Sequence, residues 1–139
     1  MAIYYIDTCV WRDFYEDRNG FGGRPLGNYA YKLIIKMLRN NDIILFSDLI
    51  VRELKAHYAE KEINDFFALV SAAGILKRVN VLYNDCQNAK LISNIKNLPV
   101  NDVIHAILAV RNHAILVSQD KHMQKLKDVA QVKRPEEVI

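Results

Sequence analysis

The chain has 139 residues, 51% of them hydrophobic and 25% charged, with a formal net charge of +3. That length and apolar content suit one compact domain spanning 1–139, and the mildly basic balance allows a phosphate-bearing partner without demanding one. Cys9 and Cys86 show no paired spacing, and no stretch has the order of a signal peptide or the length of a membrane span, which argues against a disulfide scaffold or a membrane protein and makes the cytoplasm the expected compartment.

In chain order, "AIYYIDTCVW" at residues 2–11 reads as a buried strand that reaches the carboxylate of Asp7. An unpaired carboxylate is costly to bury. Asp7 is therefore expected just past the strand's carboxyl end, the edge of an open α/β sheet where ligands collect; capping a helix that begins near Thr8 is the alternative role. "EDRNGFGGRPLGN", residues 16–28, reads as a long loop. Its glycine run lacks both a Walker lysine and a preceding strand, so it is no nucleotide cradle.

"YAYKLIIKMLRNN" has helical apolar spacing at Tyr31, Ile34, Ile35 and Leu38, and "DIILFS" is a short buried strand. "SDLIVRELKAHYAEKE" opens a helix with Ser47 and Asp48 as cap candidates, and a further helix through "INDFFALVSAAG" closes at Gly74. The apolar residues of "KLIIKML" and "INDFFALV" exceed what a small core needs, which leaves surface for a partner or a dimer. "ILKRVNVL" follows as a third strand, then an amphipathic segment "NDCQNAKLISNIKN", and a helix "VNDVIHAILAVRNH" after Pro99. "AILVSQD" is a very hydrophobic strand ending, like the first, in an aspartate; "KHMQKLKDVA" reads as a helix and "QVKR" as an edge strand. Alternating strands and helices predict a three-layer α/β/α sandwich with a central, mostly parallel sheet.

Asp7, Glu53, Asp102 and Asp120 stand out by position, two after strands and two on helices, all with apolar neighbours. If they converge at the sheet edge, they cannot all stay ionised without a cation, and an all-oxygen ligand set selects Mg²⁺ or Mn²⁺ over zinc. Taken alone, Glu53 reads as a solvated residue paired with Arg52, Lys55 or His57, and Asp102 as a helix N-terminal residue favoured by the dipole. His105 and His122 read as flanking polar residues, since no Cys/His pair with zinc spacing supports them as ligands. Nothing in the sequence fixes a histidine beside Cys9 to make it a nucleophile.

The order and context of these pieces resemble the PIN-domain nucleases, the family that includes the toxin ribonucleases of VapBC toxin–antitoxin systems. "YYIDTCVW" is similar to that family's opening strand ending in Asp-Thr, and "SDLIVREL" to its glutamate-bearing helix. "LPVNDVIHAILAV" is similar to its Asp-Ala-x-Ile-Ala helix, and "AILVSQDKHM" to its closing strand. The chain departs from the pattern at Cys9, at Val103, at Ser118 in place of threonine, and in the length of its glycine-rich segment. The resemblance implies metal-dependent hydrolysis of single-stranded RNA with Mg²⁺ or Mn²⁺, a protein antitoxin and a homodimer. It makes Asp7, Glu53, Asp102 and Asp120 the metal-binding acids, with Thr8, Asn101 and Ser118 as polar residues beside them.

An acidic centre repels phosphate, so basic residues must ring it; Arg12, Arg18, Arg24, Lys121 and Lys125 are the candidates. Asp7 and Asp120, at rigid strand ends, are the expected direct ligands, while Glu53 and Asp102 act through water. Three other readings remain. A haloacid-dehalogenase-type phosphotransferase wants a second aspartate where this chain has Cys9. An RNA-processing nuclease would need no antitoxin, and a non-catalytic RNA-binding or interaction module would not need all four acids.

Overall fold

A computed structural model describes residues 1–139. The chain runs β1 (Ile3–Ile6), α1 (Thr8–Glu16), α2 (Leu26–Asn40), β2 (Ile43–Ser47), α3 (Asp48–Lys55), α4 (Glu60–Ala72) and β3 (Leu76–Val79). It continues through α5 (Tyr83–Lys96), α6 (Val100–Arg111), β4 (Ile115–Val117), α7 (Lys121–Gln124) and β5 (Val132–Lys133). Short 3₁₀ turns lie at Phe21–Gly23 and Pro135–Glu137. No helix is long and apolar enough to cross a membrane.

The five strands form one parallel sheet in the order β3-β2-β1-β4-β5. β1 is central, with Tyr5 opposite Leu45 on one side and Leu116 on the other. Its Ile-Tyr-Tyr-Ile sequence does not alternate with polar residues because helices cover both sheet faces. Right-handed crossovers put α1–α4 on one face and α5–α7 on the other, consistent with the packing of α1 on α2 and of α5 on α6. The chain winds outward from β1 to β3, then crosses the sheet to β4. The strand order therefore reverses between β1 and β4, and at their carboxyl ends the connections diverge and leave a crevice.

Several local readings of the sequence are corrected. The loop is shorter than residues 16–28, because α1 holds Glu16 and α2 begins at Leu26, directly after the fixed φ of Pro25. The apolar residues of "KLIIKML" and "INDFFALV" are largely core: Leu33, Ile34, Met37, Ile63, Phe66, Phe67 and Val70 are buried. The exposed apolar side chains Tyr83, Leu91 and Ile95 lie on α5 instead. "ILKRVNVL" pairs only over Leu76–Val79, as an edge strand whose Lys77 and Arg78 face water. The helix expected over "KHMQKLKDVA" stops at Gln124, and i→i+3 bonds from Lys125 to His122, Leu126 to Met123 and Val129 to Leu126 tighten the chain toward β5. Gly74 does close the region of α4, at a φ of 74°.

The α1–α2 corner depends on a glycine. A Cβ on Gly27 would lie 2.5 Å from the Asp17 Cα, and the Gly27 amide donates to the Arg18 carbonyl at 2.8 Å. Gly27→Ala is expected to destabilise the fold by about 1–3 kcal/mol through overpacking against backbone that cannot move aside, measured as a lower urea midpoint at unchanged slope.

Candidate active site

Asp7 follows β1 and is 5% exposed. Each of its oxygens is held: Oδ1 accepts from the Thr8 amide at 2.8 Å, capping α1, and Oδ2 accepts from the Ser118 hydroxyl at 2.7 Å and, more weakly, from the Cys9 thiol at 3.6 Å. Asp7 is thus at once a cap and a carboxylate at the crevice. Burial pushes its carboxyl above the usual range; the nearby His105, the Ser118 hydroxyl and the Thr8 amide pull the other way without cancelling the effect. Ser118, fully buried after β4, also accepts from the Asp120 amide at 3.0 Å. One hydroxyl therefore fixes the spacing between the two strand-end acids.

Glu53 projects from α3. Its Oε1 accepts from the Thr8 hydroxyl at 2.7 Å and from His105 Nε2 at 2.8 Å. Partial burial raises the Glu53 carboxyl, and the His105 hydrogen bond and charge, with the Thr8 hydroxyl, outweigh it, so the group sits below its ordinary range. His105 is fully buried on α6, not a flanking surface residue. Its Nδ1 lies 2.8 Å from the hydroxyl of Tyr5, which is 2.7 Å from Ser47 Oγ. With both nitrogens engaged, His105 is no metal ligand. Burial lowers the His105 imidazole, but the Glu53 hydrogen bond and the charges of Asp7, Glu53 and Asp102 raise it overall.

Asp102, in the first turn of α6, and Asp120, the N-cap of α7, form a second group with His122, whose Nδ1 is 3.2 Å from Asp102 Oδ2 and 3.8 Å from Asp120 Oδ1. Burial and the charges of Asp120 and Asp7 raise the Asp102 carboxyl to about 6, against the pull of His105 and His122. Asp7, Glu53, Asp102 and Asp120 line one cleft, together with Thr8, Cys9, Arg12, Ala56 and His57.

The remaining candidates divide. Arg12 lines the cleft, with its Nε 3.0 Å from the Tyr58 hydroxyl and its guanidinium over the Tyr58 ring. Lys121 and Lys125 are exposed and make no ion pair. Arg18 does not face the cleft as a free cation: it pairs with buried Asp13 at 2.8 Å and donates to the Cys9 carbonyl at 3.2 Å, holding the end of α1. The Arg24 charge is neutralised by Glu136, which also accepts from Gln119. Asn101 lines a neighbouring groove with Asp48, Arg52 and Asn80 rather than the acidic cleft, because its position in the first turn of α6 points away from that of Asp102. Burial and the Asp7 charge push the Cys9 thiol well up, which leaves it inert as a nucleophile. Sequence reading missed His57 on the cleft wall and the His105–Tyr5 pair beneath it. The signal for the pair was a histidine one turn after Asp102 on an otherwise apolar helix.

The family model of the PIN domain matches residues 4–129. The chain belongs to the PIN domain family. No curated protein matches it in sequence. Among solved structures, it is similar to VapBC2 from Rickettsia felis bound to a promoter DNA fragment, at a TM-score of 0.62 and 18% identity over 95% of this chain and 98% of that one. A toxin–antitoxin complex from Klebsiella pneumoniae gives a TM-score of 0.66 at 14% identity, over 95% and 97% of the two chains. FitAcB from Neisseria gonorrhoeae gives 0.61 at 16%, over 96% and 98%. At these identities the likeness is one of fold.

PIN domains are generally nucleases that use divalent metals, and the donors of this PIN domain fit such an ion: four crowded carboxylates, with His122 beside Asp102 and Asp120 and the nitrogens of His105 hydrogen-bonded to Tyr5 and Glu53. The crowding has a cost in stability. Asp102 ionises at about 6 when folded against 3.8 ordinarily, so the folded state holds this proton more tightly than the unfolded chain. The resulting penalty is absent below about pH 4, grows as pH rises, and is complete above about pH 6. Asp102→Asn is expected to stabilise the metal-free protein by about 1–3 kcal/mol near pH 8 and by little near pH 4, read from urea unfolding at both values.

Proposed function

We propose that the protein is a metal-dependent endoribonuclease, the toxin of a toxin–antitoxin pair, which cuts single-stranded RNA or single-stranded regions of folded RNA in the cytoplasm. The observation that carries this reading is the convergence of Asp7, Glu53, Asp102 and Asp120 on one cleft at the reversal of strand order. Mg²⁺ or Mn²⁺, when bound, neutralises charge developing on a phosphodiester and lowers the pKa of water.

The protein's own groups supply position and charge. Asp7, pinned by Ser118 and the Thr8 amide, and Asp120, pinned as a helix cap, are the rigid donors suited to direct ligation. Glu53 and Asp102 act from the helices on either side, through water. Arg12 on the cleft wall, with Lys121 and Lys125 on and after α7, brings positive charge to the backbone of a bound strand. An antitoxin would answer the same acids with an arginine or lysine in place of the metal. The exposed apolar side chains of α5 support a homodimer.

Metal-loaded protein is expected to cleave mixed single-stranded RNA and to fall silent in excess chelator. Asp7→Asn is expected to lower the rate on the order of a hundredfold or more, measured on labelled RNA under single turnover. Cleavage that persists in chelator, or in Asp7→Asn, rejects the mechanism. Expressed alone in a heterologous host, the wild type is expected to arrest growth and Asp7→Asn to permit it. Equal growth with an RNA-cleaving wild type would instead make the protein an RNA-processing nuclease without an antitoxin.

A further inference from the structure

A buried hydrogen-bonded chain leaves helix α3 at its start and returns to it near its end. Ser47 Oγ, the N-cap of α3, lies 2.7 Å from the Tyr5 hydroxyl on β1; Tyr5 lies 2.8 Å from His105 Nδ1 on α6; and His105 Nε2 lies 2.8 Å from Glu53 Oε1, back on α3. Ser47, Tyr5 and His105 are all fully buried. None of the three is among the residues that line the cleft.

The proton positions along this chain follow from the ends. A carboxylate only accepts, so His105 Nε2 carries a proton and donates it to Glu53 whatever the charge on the ring. In the neutral ring Nδ1 accepts from the Tyr5 hydroxyl, and Tyr5 in turn accepts from the Ser47 hydroxyl, which gives every O–H and ring N–H of the chain an acceptor. Glu53 Oε1 is occupied by this bond and by the Thr8 hydroxyl, while Oε2 has no hydrogen-bond partner in the protein.

We propose that His105 is a positioning residue for the metal site: held by Tyr5 and Ser47, it fixes the Glu53 carboxylate by one oxygen so that the other is presented to the cleft. The inference rests on the metal-dependent reading given above. A glutamate side chain has three freely turning bonds, and on a helix with its side chain 29% exposed it would otherwise sample several orientations. Outer partners of this kind commonly alter metal affinity by about 10- to 100-fold.

The test is the affinity for Mn²⁺ itself, titrated with no RNA present and read from the electron paramagnetic resonance signal of free Mn²⁺. Wild type, His105→Leu, His105→Gln, Tyr5→Phe and Asp7→Asn are compared, each checked for folding by circular dichroism. His105→Leu fills similar space without a donor and is expected to weaken Mn²⁺ binding about tenfold or more. His105→Gln, whose amide can still donate to Glu53, is expected to recover most of that loss. Tyr5→Phe, which keeps the aromatic ring and frees the imidazole to turn, is expected to fall between them, and it carries the test if His105→Leu does not fold. Wild-type affinity in folded His105→Leu or Tyr5→Phe, or equal losses in the Leu and Gln variants, overturns the positioning role. If wild type binds no Mn²⁺, or Asp7→Asn binds as well as wild type, the metal-dependent reading itself fails.

Discussion

The fold has to keep charged carboxylates out of bulk water and beside one another, and each device around the cleft answers that demand. Asp7 is buried at the end of the central strand, where an unanswered carboxylate would cost several kcal/mol. It is answered by a backbone amide, a buried hydroxyl and a nearby imidazole. Ser118 serves twice, donating to Asp7 and accepting from the Asp120 amide, so the end of β1 and the turn after β4 share one oxygen. Glu53 is answered from the opposite layer by His105 and from α1 by Thr8. The cleft is therefore a joint between both helical layers of the sandwich, and its shape is set by hydrogen bonds within the wall.

Asp102 is the member left least answered. It faces Asp120 and Asp7, and its main protein counterweights are His105 and the half-exposed His122. A set of acids in which one is held below its ordinary range and another well above it stores unfavourable charge at neutral pH. Function-bearing clefts are where such locally unfavourable arrangements persist, because the surrounding fold determines them too strongly for them to relax.

Much of this was legible in the sequence. The runs "IYYI", "IILFS" and "ILV" are apolar without alternation, which in a short chain means strands covered on both faces, and the helical spacing between them supplied the layers. The position of an acid directly after β1, and of another in the turn that follows β4, was also plain. What could not be read were properties that depend on partners far along the chain. Arg18 and Arg24 look like free cations until Asp13 and Glu136 are seen to hold them. Asn101 and Asp102 are sequence neighbours, yet one helical step of about 100° turns them into different grooves. His105 resembled any histidine on a core helix, because its meaning lies in Glu53 and Tyr5, which are 52 and 100 residues away. Periodicity reports which face of a helix is buried and nothing about what it meets there.

The position of β1 in the sheet carries a consequence for biosynthesis. β1 gains its second neighbour only when β4 has been made, and the hydroxyl that holds Asp7 lies 111 residues further along the chain. Until Ser118 and Asp120 have emerged, the nascent polypeptide carries Asp7, Glu53 and Asp102 without the hydroxyl that ties the end of β1 to the turn after β4. Assembly of the cleft is thus tied to the most non-local pairing in the sheet, the class of contact that forms slowly. Translation timing separates synthesis of the acidic residues from the moment at which they can act together.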